Sequence, residues 1–173
     1  LDAWRGFDLV IEAFTILAAK RNEVELTVIG DGSDRGRLTK MVENSPCKER
    51  IKMMGGVPQA EYNTMMQECD IVVNAALKEG AVTVMFDAIA NAKPLVCVET
   101  GGYTEALSRE MCEIVSKHDR EQTISELYYG MLRFCDPEEK RMAAAECQNM
   151  AKSLSWEEKG KCIRDAILEI TER

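Results

Sequence analysis

The chain has 173 residues, of which 46% are apolar and 30% charged; this is enough for one domain around a sizeable core and excludes a disordered or collagen-like polymer. Thirty acidic against 22 basic residues leave a formal charge of −8, the wrong balance for a protein that lives on phosphate contacts with nucleic acid. Its apolar runs are strand-sized, far short of the roughly 20 residues that span a bilayer, and no signal peptide is expected ahead of the first helix.

Helix-like and strand-like periodicity alternate along the chain. Gly6 to Lys20 carries Phe7, Val10, Ile11, Phe14, Leu17 and Ala18 on one helical face. Glu25 to Ile29 reads as a strand ending at Gly30-Asp31-Gly32, and Asp34 to Glu43 as a helix with Ser33 as its N-cap. A short strand, Ile51 to Met54, stops at Gly55-Gly56 and leads into a helix over Glu61 to Cys69. Asp70 to Asn74 and Pro94 to Val98 are unpatterned apolar runs, as strands buried on both faces should be. Between them Val82 to Asn91 is an apolar helix, and Glu113 to Ser116 is the last strand. Helices over 120–134, 137–153 and 156–172 close the chain, with start signals at Asp136-Pro137 and Ser155-Trp156.

Strands alternating with helices over short loops predict an α/β fold: a doubly wound parallel sheet with helices on both faces, as one domain over 1–173, with an additional helix between the last two strands. Ligands of such sheets bind at the carboxyl ends of the strands, which here are loops 30–33, 55–58, 75–81 and 99–104. Those loops hold Gly30-Asp31-Gly32, Gly55-Gly56-Val57-Pro58, Glu79-Gly80 and Gly101-Gly102. Glycine lets backbone amides approach a ligand, and four such loops on one edge point to a phosphate-bearing molecule, although βα turns use glycine for geometry alone.

Seven cysteines without a C-x-x-C pair, with His118 as the one histidine, argue against a zinc site and a disulfide framework and for free thiols in a reducing cytoplasm. Cys69 and Cys97 lie in apolar runs and should be small buried hydrophobes. His118, in the polar stretch Ser116 to Arg120, reads as a solvated loop residue rather than a catalytic base. Met53, Met54, Met65, Met66 and Met85 read as fillers of core gaps and helix faces.

Glu79 and Asp87 are eight positions apart, a little over two helical turns. Asp87 sits inside the apolar run Val84 to Ile89, where a carboxylate is costly to bury without a partner. Two carboxylates aimed into one crevice suit the vicinal hydroxyls of a ribose or hexose. The plainer reading makes Asp87 a partly exposed surface acid and Glu79 an acid near a helix N-terminus.

Arg5-Gly6-Phe7-Asp8 with Ile11-Glu12-Ala13-Phe14, then Ile29-Gly30-Asp31-Gly32-Ser33 and Gly55-Gly56-Val57-Pro58, resemble the donor-binding half of a GT-B glycosyltransferase of the retaining "group 1" type. Glu79-Gly80 followed by Asp87-Ala88, Lys93-Pro94-Leu95-Val96, Thr100 to Glu105 and Leu154-Ser155-Trp156 extend the resemblance over essentially the whole chain. The resemblance implies transfer of a hexose from a nucleoside diphosphate sugar to a saccharide or lipid-linked acceptor, with no metal or further cofactor.

It also implies roles. Arg5 stands where the family has a lysine on the donor diphosphate, and a guanidinium serves a phosphate at least as well. Glu79 matches the first acid of the family's E-x7-E motif, which contacts the transferred sugar, and Asp87 the second, which holds the ribose hydroxyls. Gly80, Ala81 and Val82, at a helix N-terminus, would face the diphosphate. Gly30 lies on the same edge, and Val57 and Pro58 in the loop that resembles the nucleobase-binding edge. The sequence departs from the family in having Asp87 one methylene shorter than glutamate, and Val82 where the family has glycine.

Relatives also carry a β-strand with a glycine-arginine pair before the position of Leu1, and an acceptor-binding N-terminal domain. The expectation is therefore a cytoplasmic donor half that works only with that domain, on a sheet whose first strand is missing or substituted, the parent enzyme being able to sit at the cytoplasmic face of a membrane. The alternatives are another nucleotide-sugar enzyme such as a hydrolysing 2-epimerase, which would want a histidine in the cleft, and a flavodoxin- or receiver-like interaction domain, for which Asp31 is the one phosphorylatable candidate. A NAD module is weaker, because Gly30 to Arg35 lacks the third glycine of G-x-G-x-x-G.

Overall fold

The computed structural model describes residues 1–78, 83–100 and 107–171. Its elements follow in the order α1 (Phe7–Ala18), β1 (Leu26–Ile29), α2 (Arg35–Glu43), β2 (Ile51–Gly55), α3 (Gln59–Glu68), β3 (Val72–Asn74), α4 (Thr83–Ala90), β4 (Leu95–Val98), β5 (Cys112–Val115), α5 (Arg120–Arg133), α6 (Pro137–Ser153) and α7 (Trp156–Thr171). No helix separates β4 from β5 among the described residues, and part of that connection, 101–106, lies outside them.

All strand pairing is parallel, as the alternating pattern predicts, but the hydrogen-bonded ladder is in two pieces. β1 pairs with β2, with a register shift after Val28, and β3, β4 and β5 form a second sheet in that order. No described strand hydrogen-bonds to both β1 and β3, so the expected single sheet is divided between them. Side-chain packing nonetheless crosses the division: Val28 of β1 shares one apolar cluster with Val96 and Val98 of β4 and Val115 of β5.

β4 explains the layering. All four of its residues are buried, and successive side chains point to opposite faces. Val96 and Val98 join α1, α2 and α5 on one face, while Leu95 and Cys97 join α3, α4 and α6 on the other. α5 can lie close over the sheet because Gly130 has no side chain; a Cβ there would come within 2.8 Å of Val96 Cγ1. Each fully buried Leu, Ile or Phe in these layers contributes roughly 1.5–3 kcal/mol. Met66 and Met85 sit in the second layer, whereas Met54 is largely exposed. Cys97 is buried as expected; Cys69 is only half-buried, because α3 ends before it and it becomes the cap residue.

Local chemistry sets the helix starts. Asp119 caps α5 by accepting from the Gln122 amide at 2.9 Å. Asp136 caps α6 by accepting from the amides of Glu138 and Glu139 at 2.9 and 3.0 Å, with Pro137 in the first turn, the position where a missing N–H costs nothing. At α2 the expected cap does not form: Ser33 Oγ donates to Asp2 Oδ1 at 2.7 Å, and Asp34 takes the N-cap position. The Asp34 carboxylate is held instead by Arg37, at 2.6 and 2.8 Å, a charge-assisted pair stronger than a cap to a neutral amide. α7 has a polar face and an apolar stripe that the chain leaves open, with Ile163 and Ile170 60% and 75% exposed.

Candidate functional site

The segment Leu1–Gly6 lies across the carboxyl ends of β1 and β3. Leu1 C=O accepts from the Asp34 amide at 2.8 Å in the loop that follows β1. Trp4 C=O accepts from the Leu77 amide at 2.8 Å in the loop that follows β3. The first residues of the chain are thus strapped between the ends of the two sheets. Gly6 closes the strap: it adopts φ +67°, and a Cβ there would run into the Ala75 carbonyl. Only glycine meets both demands, and it is also the residue from which α1 departs.

Arg5 rides on this strap. It is exposed, and its guanidinium lies 4.3 Å from the centre of the Trp4 ring, a cation–π contact. The chain from Ala75 to Lys78 runs beside it and continues into Glu79, Gly80, Ala81 and Val82, which lie outside the described residues, as do Gly101 to Ala106. The expected sugar-contacting acid and the amides expected to face the diphosphate therefore carry no geometry here.

Gly30 follows β1, and its amide donates to Gly55 C=O at 2.7 Å. That N–H belongs to the sheet rather than to an open crevice, so Gly30 can meet a ligand only through its Cα and carbonyl. Next to it, Asp31 accepts from the Gly32 amide at 2.8 Å and from Arg35 at 2.9 Å. The amide and then the guanidinium hold its carboxyl below the ordinary range. Val57 is half-buried, and the exposed Pro58 caps α3. His118 is an exposed loop residue, with Nε2 at 3.5 Å from Glu126.

Asp87 is half-buried on α4 and has the partner that its apolar neighbourhood demands. Tyr62, on α3, donates its hydroxyl to Asp87 Oδ2 at 2.8 Å. Sequence reasoning missed Tyr62, since the residues are 25 positions apart and on different helices; the signal was the lone acid inside Val84 to Ile89, which called for an unnamed donor. Burial, and then the bond to Asp87, push the Tyr62 phenol well above its usual value, so it remains a donor at any physiological pH. Among the described residues no second side-chain donor reaches Asp87.

The same edge carries a charge network. Arg120, which opens α5, donates to Asp8 at 2.9 Å and to Glu12 at 2.9 and 3.1 Å. Arg37 approaches Asp8 within 3.8 Å. These two cations are thus committed to acids of α1 and of the start of α2. A surface depression of about 710 Å³ between α5 and α6 is lined by Tyr129, Arg133 and Glu139. No group of three or more His, Cys, Asp or Glu side chains among the described residues could hold a metal ion, and no helix among them is long and apolar enough to cross a membrane.

The family profile for glycosyl transferases group 1 matches residues 1–145. The chain is 25% identical over 159 residues to one of the subunits of the phosphatidylinositol N-acetylglucosaminyltransferase of Arabidopsis thaliana, covering 91% of this chain and 34% of that protein. It is 27% identical over 107 residues to the GPI3 subunit of the same enzyme in Saccharomyces cerevisiae, covering 62% of this chain and 24% of the relative. The chain thus spans about a quarter to a third of the length of these relatives. Its fold superimposes on the pneumococcal O-GlcNAc transferase GtfA, solved with UDP and GlcNAc, with a TM-score of 0.83 at 14% identity, over 99% of this chain and 34% of that one. The fold is accordingly that of the C-terminal domain of a GT-B enzyme, and the chain belongs to the group 1 glycosyltransferases.

Proposed function

We propose that this chain is the donor-binding domain of a hexosyltransferase, taking a nucleoside diphosphate sugar and working with an acceptor-binding domain on a saccharide or lipid-linked acceptor. The observation that carries the reading is the strap. It fixes an exposed guanidinium, Arg5, at the carboxyl edge of a parallel sheet, beside the chain that leads into Glu79. Arg5 and the amides of Gly80, Ala81 and Val82 meet the diphosphate, and Asp87 accepts from the ribose. Glu79 contacts the transferred sugar, and Gly30, Val57 and Pro58 border the nucleoside.

Catalysis in this reading consists of positioning plus stabilisation of the departing diphosphate. The donor acts as co-substrate and no metal takes part. The domain works in the cytoplasm, on an enzyme whose acceptor can lie at a membrane face. That GtfA was solved with UDP supports a uridine donor as the first to try.

A thermal-shift panel with UDP, GDP, ADP and NAD tests the proposal. A ligand that binds only the folded chain at a hundred times its Kd adds about 2.7 kcal/mol, and 1 kcal/mol moves the Tm of a domain this size by roughly 2–4 °C. The expected result is a rise with one nucleoside diphosphate that disappears in Asp87→Ala. A rise with NAD alone, or with none of the four, overturns it.

A further inference from the structure

We propose that Tyr62 is a positioning residue of the nucleotide site: its hydroxyl occupies one oxygen of Asp87 and turns a carboxylate able to hold two ribose hydroxyls into one that discriminates between them. The inference rests on the donor-site reading above and adds to it a specificity device on α3.

Tyr62 is placed to link the two ends of a nucleoside. α3 starts from Pro58, and the Tyr62 amide donates to Pro58 C=O at 3.0 Å, so its ring is rooted one turn from the Val57-Pro58 loop. The ring packs partly buried against the layer that contains Met66, Met85 and Ile89. That packing fixes the apolar body of the side chain and aims its polar tip across to α4, where it meets Asp87 Oδ2 at 2.8 Å. The bond ties the helix behind the base loop to the acid expected at the ribose.

The carboxylate chemistry supplies the consequence. An ionised carboxylate accepts through both oxygens and can take two hydroxyl donors side by side. Here Oδ2 already accepts from a phenol, and among the described residues no donor reaches Oδ1. The shorter side chain of aspartate, with two rotatable bonds, is held in one orientation by the phenol. In this arrangement a ribose meets the other oxygen, Oδ1, in a fixed place, and one of its two hydroxyls takes most of the interaction.

Affinities of UDP, GDP and ADP, each compared with its 2′-deoxy and 3′-deoxy analogues, test this by calorimetry on the unmodified chain and on Tyr62→Phe. In the unmodified chain one deoxy analogue should bind about tenfold or more weakly, as expected for a lost hydrogen bond to a charged acceptor, while the other binds nearly as well as the parent. In Tyr62→Phe, which keeps the ring and its packing, the two analogues should become alike to within about threefold. A purely structural tyrosine would weaken all ligands equally and leave the ratio between the analogues as it was; that result overturns the inference while leaving the donor site in place. Failure of every nucleoside diphosphate to bind the unmodified chain overturns the donor-site reading and this inference together.

Discussion

The α-carbon of Gly6 lies so close to the carbonyl of Ala75 that no side chain fits between them, and Gly6 also holds φ +67°. This contact joins the residue after Arg5 to the loop after β3, so the order of one edge depends on a missing methyl group. Gly6→Ala meets a steric clash worth about 1–3 kcal/mol and a left-handed backbone worth about 1 kcal/mol more. Urea unfolding should show a loss of roughly 2–4 kcal/mol. A loss below about 1 kcal/mol would mean that the strap is not held as described.

The same substitution should have the opposite sign at Gly36. That glycine lies in α2, is exposed, and has nothing within 4 Å of a built Cβ. Alanine there removes unfolded-state freedom and favours the helix, so Gly36→Ala should gain about 0.5–1 kcal/mol. Measuring the two variants side by side separates the close approach from the general cost of replacing glycine. Equal effects would refute the contrast.

What could be read from the sequence followed from periodicity. The unpatterned run Pro94 to Val98 contains the fully buried β4, and Asp136-Pro137 announced the start of α6 through its own hydrogen bonds. Helix boundaries fell within two or three residues, because end residues are decided by caps rather than by the apolar face. Long-range relationships stayed hidden. Nothing local in Val72 to Asn74 says that it pairs with β4 and not with β1, and nothing in Ser33 says that Asp2 will compete for its hydroxyl. Gly30 was legible as a turn residue, but not the use of its amide by Gly55. Asp87 announced a need for a partner without naming Tyr62.

Thiol reactivity reports on the two layers. Cys162 is exposed, while Cys47, Cys97, Cys112 and Cys147 are buried. Burial pushes the Cys147 thiol up to about 11 and also raises Cys69 and Cys135. Since the thiolate is the nucleophile, iodoacetamide at pH 8 should modify Cys162 first, Cys69 and Cys135 slowly, and Cys97 and Cys147 only after unfolding. Peptide mass spectrometry over a time course reads the order directly. Early labelling of Cys147 in the folded protein would show that α6 opens away from β4.

Acid stability should depend on the loop after β1. Asp34 is held below its ordinary value of 3.8 chiefly by its hydrogen bonds to Arg37, Asp31 by the Gly32 amide and Arg35, and Asp2 by the Ser33 hydroxyl. Groups whose pKa is lower in the folded state bind fewer protons there than in the unfolded chain, so they favour folding above pH 3.8 and lose that contribution as the pH falls through their lowered values. Unfolding free energy should thus be insensitive to these groups between about pH 5 and 7 and drop below about pH 4. Asp34→Asn removes one of the three and should make the acid limb shallower without changing the slope near neutrality. Urea titrations at half-unit steps from pH 3 to 6 would detect the change, and parallel acid limbs for the two proteins would rule out the Arg37 pair as its source.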